Sequence, residues 1–275
     1  MSAGSSRPAE PFMTMELFDS VLQQVQSSVH TMQFYFQGEP LLNRQLPEMI
    51  AAAHGVGLYT IVSTNAQALT RSLSEALVKS GLRRIIVSID GFSEESYAAY
   101  RVGGSMHKAL EGLCFLREAK ERYRSSIRIE LQMLRLKTNE HEWAWIKRHY
   151  RELGATHLVF KTAQLYDYEH GHPLMPTQPR YSRYYQAADG TYHLRRSWWQ
   201  RHWFCTPCYR LWSGGVITTD GRFLPCCYDK AGENALGRLS QSSLATIWHS
   251  KKANDFRKCV LMHRNHLPIC QECNQ

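Results

Sequence analysis

Cysteine is nearly absent from most of this 275-residue chain. Of eight cysteines, Cys114 alone precedes residue 205. Apolar runs are short, and none approaches the roughly 18 residues that a membrane span needs. The start, Met1 to Glu10, lacks a hydrophobic signal core. These absences argue against a membrane partner and lead us to expect a cytoplasmic protein. In a reducing compartment disulfides explain clustered thiols poorly, so seven cysteines gathered after residue 204 point to metal. Blocks of like charge, repeats and low-complexity stretches are also missing. The net charge of +9 is spread along the chain, which reads as a solvated basic surface, and nucleic acid is not expected as a partner. At 43% hydrophobic residues, the composition excludes disorder.

What is present from residue 14 to 161 is an alternation of helical and strand patterns. Met15, Leu17, Phe18, Val21, Leu22 and Val25 share one helical face. Short apolar runs predict strands at Met32–Phe36, Leu58–Val62, Arg84–Ile89, Ile127–Met133 and Thr156–Phe160. Helices are predicted between them, over about 44–54, 70–80, 106–122 and 139–152. Such alternation means parallel strands joined by crossover helices. A full or partial βα barrel and an open doubly wound sheet both satisfy it. Residues 162–203, with Pro173, Pro176 and Pro179 and many tyrosines, read as an irregular linker. Within it, the cationic and aromatic run from Arg195 to Phe204 reads as an amphipathic helix, with base stacking as the alternative. Residues 204–275 form a small cysteine-rich module.

In that module Cys208 and Cys226 are separated by 17 residues, and Cys270 and Cys273 by two. Two residues between thiolates let both face one ion or one cluster edge, and a second pair completes a four-sulfur site. The stretch from Val216 to Cys226 reads as a β-hairpin with an Asp220-Gly221 turn. Spacing alone leaves zinc and iron–sulfur both open. Cys205, Cys227 and Cys259 are surplus, and Cys205 or Cys227 is an alternative ligand. Cys114 is expected in a helix-packing position.

The segment from Cys208 through Gly221 to Cys226, with Leu236-Gly-Arg-Leu, Ile247-Trp248, Phe256-Arg257 and the closing Cys270-Gln-Glu-Cys273, resembles the SPASM domain of radical SAM proteins in its shortened "twitch" form. The first half adds to this. Gln37-Gly38-Glu39-Pro40 is similar to the family's GGEP motif, whose backbone binds the amino group of S-adenosylmethionine. Ser63-Thr-Asn65 and Ser88-Ile-Asp90 resemble its ribose- and carboxylate-contacting positions, and Arg101 is placed to pair with a carboxylate.

The resemblance implies a partial TIM-like (βα) barrel over 1–161 and a SPASM/twitch domain over 204–275. It implies one auxiliary [4Fe–4S] cluster on Cys208, Cys226, Cys270 and Cys273, and S-adenosylmethionine bound at Gln37, Gly38, Glu39, Pro40, Ser63, Asn65, Ser88, Asp90 and Arg101. It further implies a reductant protein such as flavodoxin or ferredoxin, and a peptide or small-molecule substrate modified by a 5′-deoxyadenosyl radical. One departure limits it. The family's CxxxCxxC triplet for the catalytic cluster is missing, so we expect a fragment or a mis-assigned start, lacking the first strand and unable to cleave S-adenosylmethionine alone. Two other readings stay open: a non-enzymatic iron–sulfur electron-transfer or partner protein, and a zinc-stapled module binding nucleic acid or peptide.

Overall fold

The computed structural model describes residues 12–195, 208–271 and 273. They form two compact units, one spanning Val29–His193 and the other joining the chain's start, through Ser28, to Leu194–Gln275.

The first unit is built on five parallel strands: β1 (Thr31–Gln33), β2 (Tyr59–Thr64), β3 (Arg84–Ser88), β4 (Arg128–Arg135) and β5 (His157–Thr162). Their spatial order is their sequence order. A doubly wound sheet reverses direction at a switch point, whereas a barrel winds one way. The unbroken order therefore selects the partial TIM-like barrel from the two expected architectures. Crossovers are made by α2 (Leu46–Gly55), α3 (Arg71–Lys79), α4 (Glu94–Ala98), α5 (Met106–Arg122) and α6 (Trp143–His149).

β4 shows how the sequence sets the two faces. Ile129, Leu131 and Met133 are fully buried in the core beneath the helices, with Ile85, Val87 and Leu113. The alternate positions carry Glu130 and Gln132. Pairing places Gln132 opposite Ser88, and Leu134 opposite Lys161. Because side chains alternate along a strand, these polar groups share the inner barrel face. Lys161 stands on that face by register.

Residues 163–195 are not a free linker. Ala163, Leu165, Met175 and Tyr184 are buried, and the Tyr184 hydroxyl donates to the Leu165 carbonyl (2.9 Å) while accepting the Leu165 N–H (2.8 Å). A short hairpin of β6 (Tyr184–Gln186) and β7 (Tyr192–Leu194) ends the segment. The run expected as an amphipathic helix lies, for 196–204, outside the described residues.

The second unit holds α1 (Met15–Val25), α7 (Arg210–Ser213), β8 (Val216–Ile217), β9 (Arg222–Leu224), β10 (Gly237–Arg238), α8 (Leu244–Trp248), α9 (Lys251–His263) and α10 (Pro268–Gln271). The sequence reading grouped α1 with residues 1–161, and in the structure it falls in the unit that holds the cysteine module. The amphipathic stripe of α1 is buried as expected, through Phe18, Val21, Leu22 and Val25. However, Gln24 accepts the Leu244 N–H (2.6 Å) at the start of α8, and Leu17 packs over Gly221. Periodicity shows that a face is covered and says nothing of which unit covers it. The predicted hairpin is present: β8 and β9 pair antiparallel, and Gly221 sits at φ +76° in the turn, a conformation that favours glycine. Arg257 is stacked on Trp248, 4.4 Å from the ring centre, and donates to the carbonyls of Trp248 (2.8 Å) and Leu211 (3.2 Å). That ties α9 to α7 and α8.

Candidate functional site

The barrel unit carries a cleft of about 220 Å³ at the carboxyl ends of β1, β2 and β3, where βα folds place ligands. Tyr35, Phe36, Gly38, Glu39, Ser63, Thr64, Asn65, Ser88 and Arg101 line it. Three separate stretches picked out in the sequence thus converge on one space. Glu39 holds the rim together. Its carboxylate accepts the Thr64 hydroxyl (2.7 Å), the Asn65 N–H (2.9 Å) and the Leu41 N–H (3.2 Å). The turn after β1 is thereby stapled to the end of β2, and Gly38 at φ +75° gives the backbone its reversal.

Gln37 and Pro40 belong to the same turn but do not line the cleft, and Pro40 opens the 3₁₀ turn Pro40–Leu42. Asp90 is fully buried beneath it. Its carboxylate accepts Arg101 Nη2 (2.5 Å) and Nε (2.7 Å) and the Leu134 N–H (2.6 Å). Sequence reasoning missed Thr64, Tyr35 and Phe36. Thr64 lies inside a motif already singled out, and the aromatic pair directly precedes another. Burial pushes the Tyr100 phenol beside Arg101 above its ordinary value, and the nearby Asp90 adds to this.

The second unit gathers its thiols around the hairpin. Cys208 precedes α7, Cys226 follows β9, Cys270 lies on α10 and Cys273 just beyond it. All four are half-buried and unbridged. All four fall in the second unit. Burial, with the neighbouring thiols, pushes Cys270 up to about 11, against the opposing Arg264. Cys226 is raised by its hydrogen bond with Cys227 and by burial. Exposed Cys227, bonded to Cys226 and beside Arg210, falls to about 6. Donors already face the sulfurs: Tyr228 N–H to Cys226 (3.4 Å) and Arg264 Nη2 to Cys273 (3.6 Å).

Among the described residues, no three His, Cys, Asp or Glu side chains stand close enough to grip a single ion. Four tetrahedral thiolates on one zinc would sit about 3.8 Å apart, from a Zn–S bond of about 2.3 Å. A four-iron cluster is larger and holds its sulfurs farther apart. An all-sulfur donor set suits both a zinc ion and an iron–sulfur cluster. Cys259 lies on α9, and Cys114 on α5 is hydrogen-bonded to Glu118 (3.6 Å) and Arg117 (3.5 Å). Cys205 lies outside the described residues. No helix among the described residues is long and apolar enough to cross a membrane.

A barrel-type sheet with a polar cleft at its strand ends, coupled in sequence to a four-cysteine module, defines a cofactor-binding α/β protein. Comparison with known proteins supplies the family. Residues 2–129 match the radical SAM superfamily, and residues 208–274 match the SPASM iron–sulfur cluster-binding domain. The chain belongs to the radical SAM proteins that carry a SPASM domain.

Among its relatives is the PqqA peptide cyclase of Rhizobium meliloti, 26% identical over 86% of this chain and 65% of that protein. The AdoMet-dependent heme synthase of Oleidesulfovibrio alaskensis is 32% identical over 30% of this chain and 21% of its own length. Both matches span less than two thirds of the relative. The fold is shared with Streptococcus suis SuiB bound to S-adenosylmethionine, at a TM-score of 0.64 and 12% identity, over 94% of this chain and 64% of that one. The family's cofactors are S-adenosylmethionine in the radical SAM part and [4Fe–4S] in the SPASM part.

Proposed function

We propose that Cys208, Cys226, Cys270 and Cys273 ligate one auxiliary [4Fe–4S] cluster, and that the barrel cleft binds S-adenosylmethionine. The observation carrying the first part is that four half-buried, unbridged cysteines fall in one unit, before α7, after β9, on α10 and just beyond it. When bound, such a cluster supplies one-electron chemistry. The chain's own part is to hold and tune it. The Tyr228 N–H and the Arg264 guanidinium donate toward ligand sulfurs, an arrangement that favours the reduced state. Phe223, Trp248 and Phe256 keep the module's apolar side dry.

In the cleft, the Ser63 and Ser88 hydroxyls and the Asn65 amide offer bonds to ribose and amino-acid groups, and Tyr35 and Phe36 offer apolar surface. Radical modification of a substrate also needs a CxxxCxxC triplet, which these 275 residues do not contain. That activity, with a flavodoxin- or ferredoxin-type reductant, is proposed for a form carrying the triplet. The long match to a peptide cyclase supports a peptide substrate.

The test is anaerobic iron and sulfide reconstitution of the wild type and of serine variants. We expect about four irons per chain and a broad absorption band near roughly 400 nm. Serine at 208, 226, 270 or 273 removes it, and serine at 227 or 259 does not. Metal content unchanged by all four substitutions would overturn the ligand assignment.

A further inference from the structure

Arg135 is the last residue of β4. Alternation along the strand puts its side chain on the helix-covered face, two positions beyond the buried Met133. Its guanidinium carbon lies 4.1 Å from the centre of the Tyr181 ring, 4.9 Å from that of Phe160 and 5.6 Å from that of Trp143. Trp143 meets the other two rings edge-on, which holds the cage in shape. All three rings belong to the apolar core or pack against it. A cation at such an edge is ordinarily paired with a carboxylate. Among the described residues none lies within ion-pair distance of Arg135. Its Nε is buried with no acceptor, while Nη1 and Nη2 stay accessible.

The pattern repeats on the same rings. Arg180, exposed, stands 4.6 Å from the centre of Tyr181, and Lys147, exposed on α6, stands 5.7 Å from that of Phe160. Arg135 shares one ring with each and is therefore the middle of three cations. Arg180 donates to the Gln178 side-chain carbonyl (3.1 Å) and, like Lys147, has no carboxylate partner among the described residues. Glu140 is already engaged by the Thr177 N–H (2.6 Å) and hydroxyl. More donors are bare nearby in the chain: Thr138 Oγ1 and Arg183 Nε and Nη1 are buried without a partner. Burial lowers the pKa of Arg135, and Arg180 adds to this against the opposing influence of Tyr181. Three like charges with no counter-charge repel one another, and an arriving anion relieves that repulsion.

We infer that Arg180, Arg135 and Lys147 form a binding strip for an acidic peptide segment, separate from the cofactor cleft. A guanidinium offers its edge to a carboxylate while its face rests on a ring, so the packing leaves bonding edges usable. The layout selects a chain over a small ion. One oxyanion reaches one or two of the cations, whereas carboxylates spaced along an extended segment reach all three. The strip depends on neither the cluster reading nor the S-adenosylmethionine reading.

The experiment is fluorescence anisotropy of a dye-labelled hexaglutamate peptide titrated with the full chain at low salt, with hexaglutamine as the neutral control. Saturable binding of hexaglutamate alone is expected. Arg180→Gln and Lys147→Gln alter exposed side chains, and each should weaken binding about threefold, and together about tenfold. Arg135→Gln should weaken it about tenfold or more. Lys108→Gln and Lys252→Gln remove the same charge elsewhere and should leave binding unchanged. Equal losses in these controls would reduce the effect to the chain's net charge and overturn the inference. So would an absence of binding, or full affinity in the Arg180→Gln, Lys147→Gln double variant. Should Arg135→Gln fail to fold, the exposed pair decides the matter. Inorganic phosphate or a DNA duplex that binds more tightly than hexaglutamate, and is weakened by the same substitutions, would overturn the assignment to peptide.

Discussion

The barrel unit buries Ile85, Ile129, Leu131 and Leu113 completely beneath its helices, whereas an apolar cluster of the cysteine module is built on Phe223, Leu236, Ile247 and Ala253. Polar groups differ in the same way. In the barrel, Glu39, Asp90 and Asn139 have their hydrogen bonds made within the protein. In the module, the four candidate ligand thiols are half-buried and unbridged, two of them with pKa values pushed up by burial and by their neighbours. One unit is ordered by its own side chains. The other is organised around donors that want a metal, so its stability should be inseparable from what they bind.

The largest expected effect follows from that contrast. Stripping iron with a chelator should unfold the hairpin and α8–α9 while leaving the five-stranded sheet intact. Amide exchange read by mass spectrometry should show lost protection over 216–260 and retained protection in β3 and β4. Equal loss in both units would end the distinction.

Next in size is Ile129→Ala. This side chain is fully buried in the sheet core, and its truncation should cost about 3 kcal/mol. Urea unfolding should show that cost in the barrel transition only. A shift in both transitions would mean the units unfold as one.

Glu39→Gln should be smaller. Glutamine keeps one acceptor oxygen where the carboxylate serves three donors, so a loss of about 1–2 kcal/mol is expected in the same urea assay. No change would show that the rim is held by other contacts.

The smallest effect concerns pH. Burial raises the Asp220 carboxyl, but the Thr218 hydroxyl, Arg222 and Arg238 outweigh it, and the net shift is downward. A depressed carboxyl stabilises the fold above its unfolded value near 3.9, and that contribution fades as pH falls through the lower folded value. The module should therefore lose stability on acidification below about pH 4, and Asp220→Asn should flatten that decline. An unaltered acid limb in the variant would remove Asp220 from the account.

Much of this was legible in the residues. Strong periodicity located β3, β4 and α5, and the Asp-Gly signal located the β8–β9 turn, because each is a local property. Motif residues Gly38, Glu39, Ser63, Asn65, Ser88 and Arg101 meet in one cleft. Three things were not legible. The partner of α1 depends on which surface covers its stripe, and a helical pattern does not encode that. Asp90 sits in a recognisable motif, but only the fold turns its carboxylate inward to Arg101. Residues 163–184 look like linker because their buried positions, Leu165, Met175 and Tyr184, follow no regular period.

The most direct measurement is Mössbauer spectroscopy of the anaerobically reconstituted full chain, with metal and sulfide counted on the same sample. The account predicts about four irons and four sulfides per chain in a single [4Fe–4S] signal that is absent from the Cys208→Ser variant. One zinc per chain, with no iron signal and no effect of Cys208→Ser on the iron content, would contradict it.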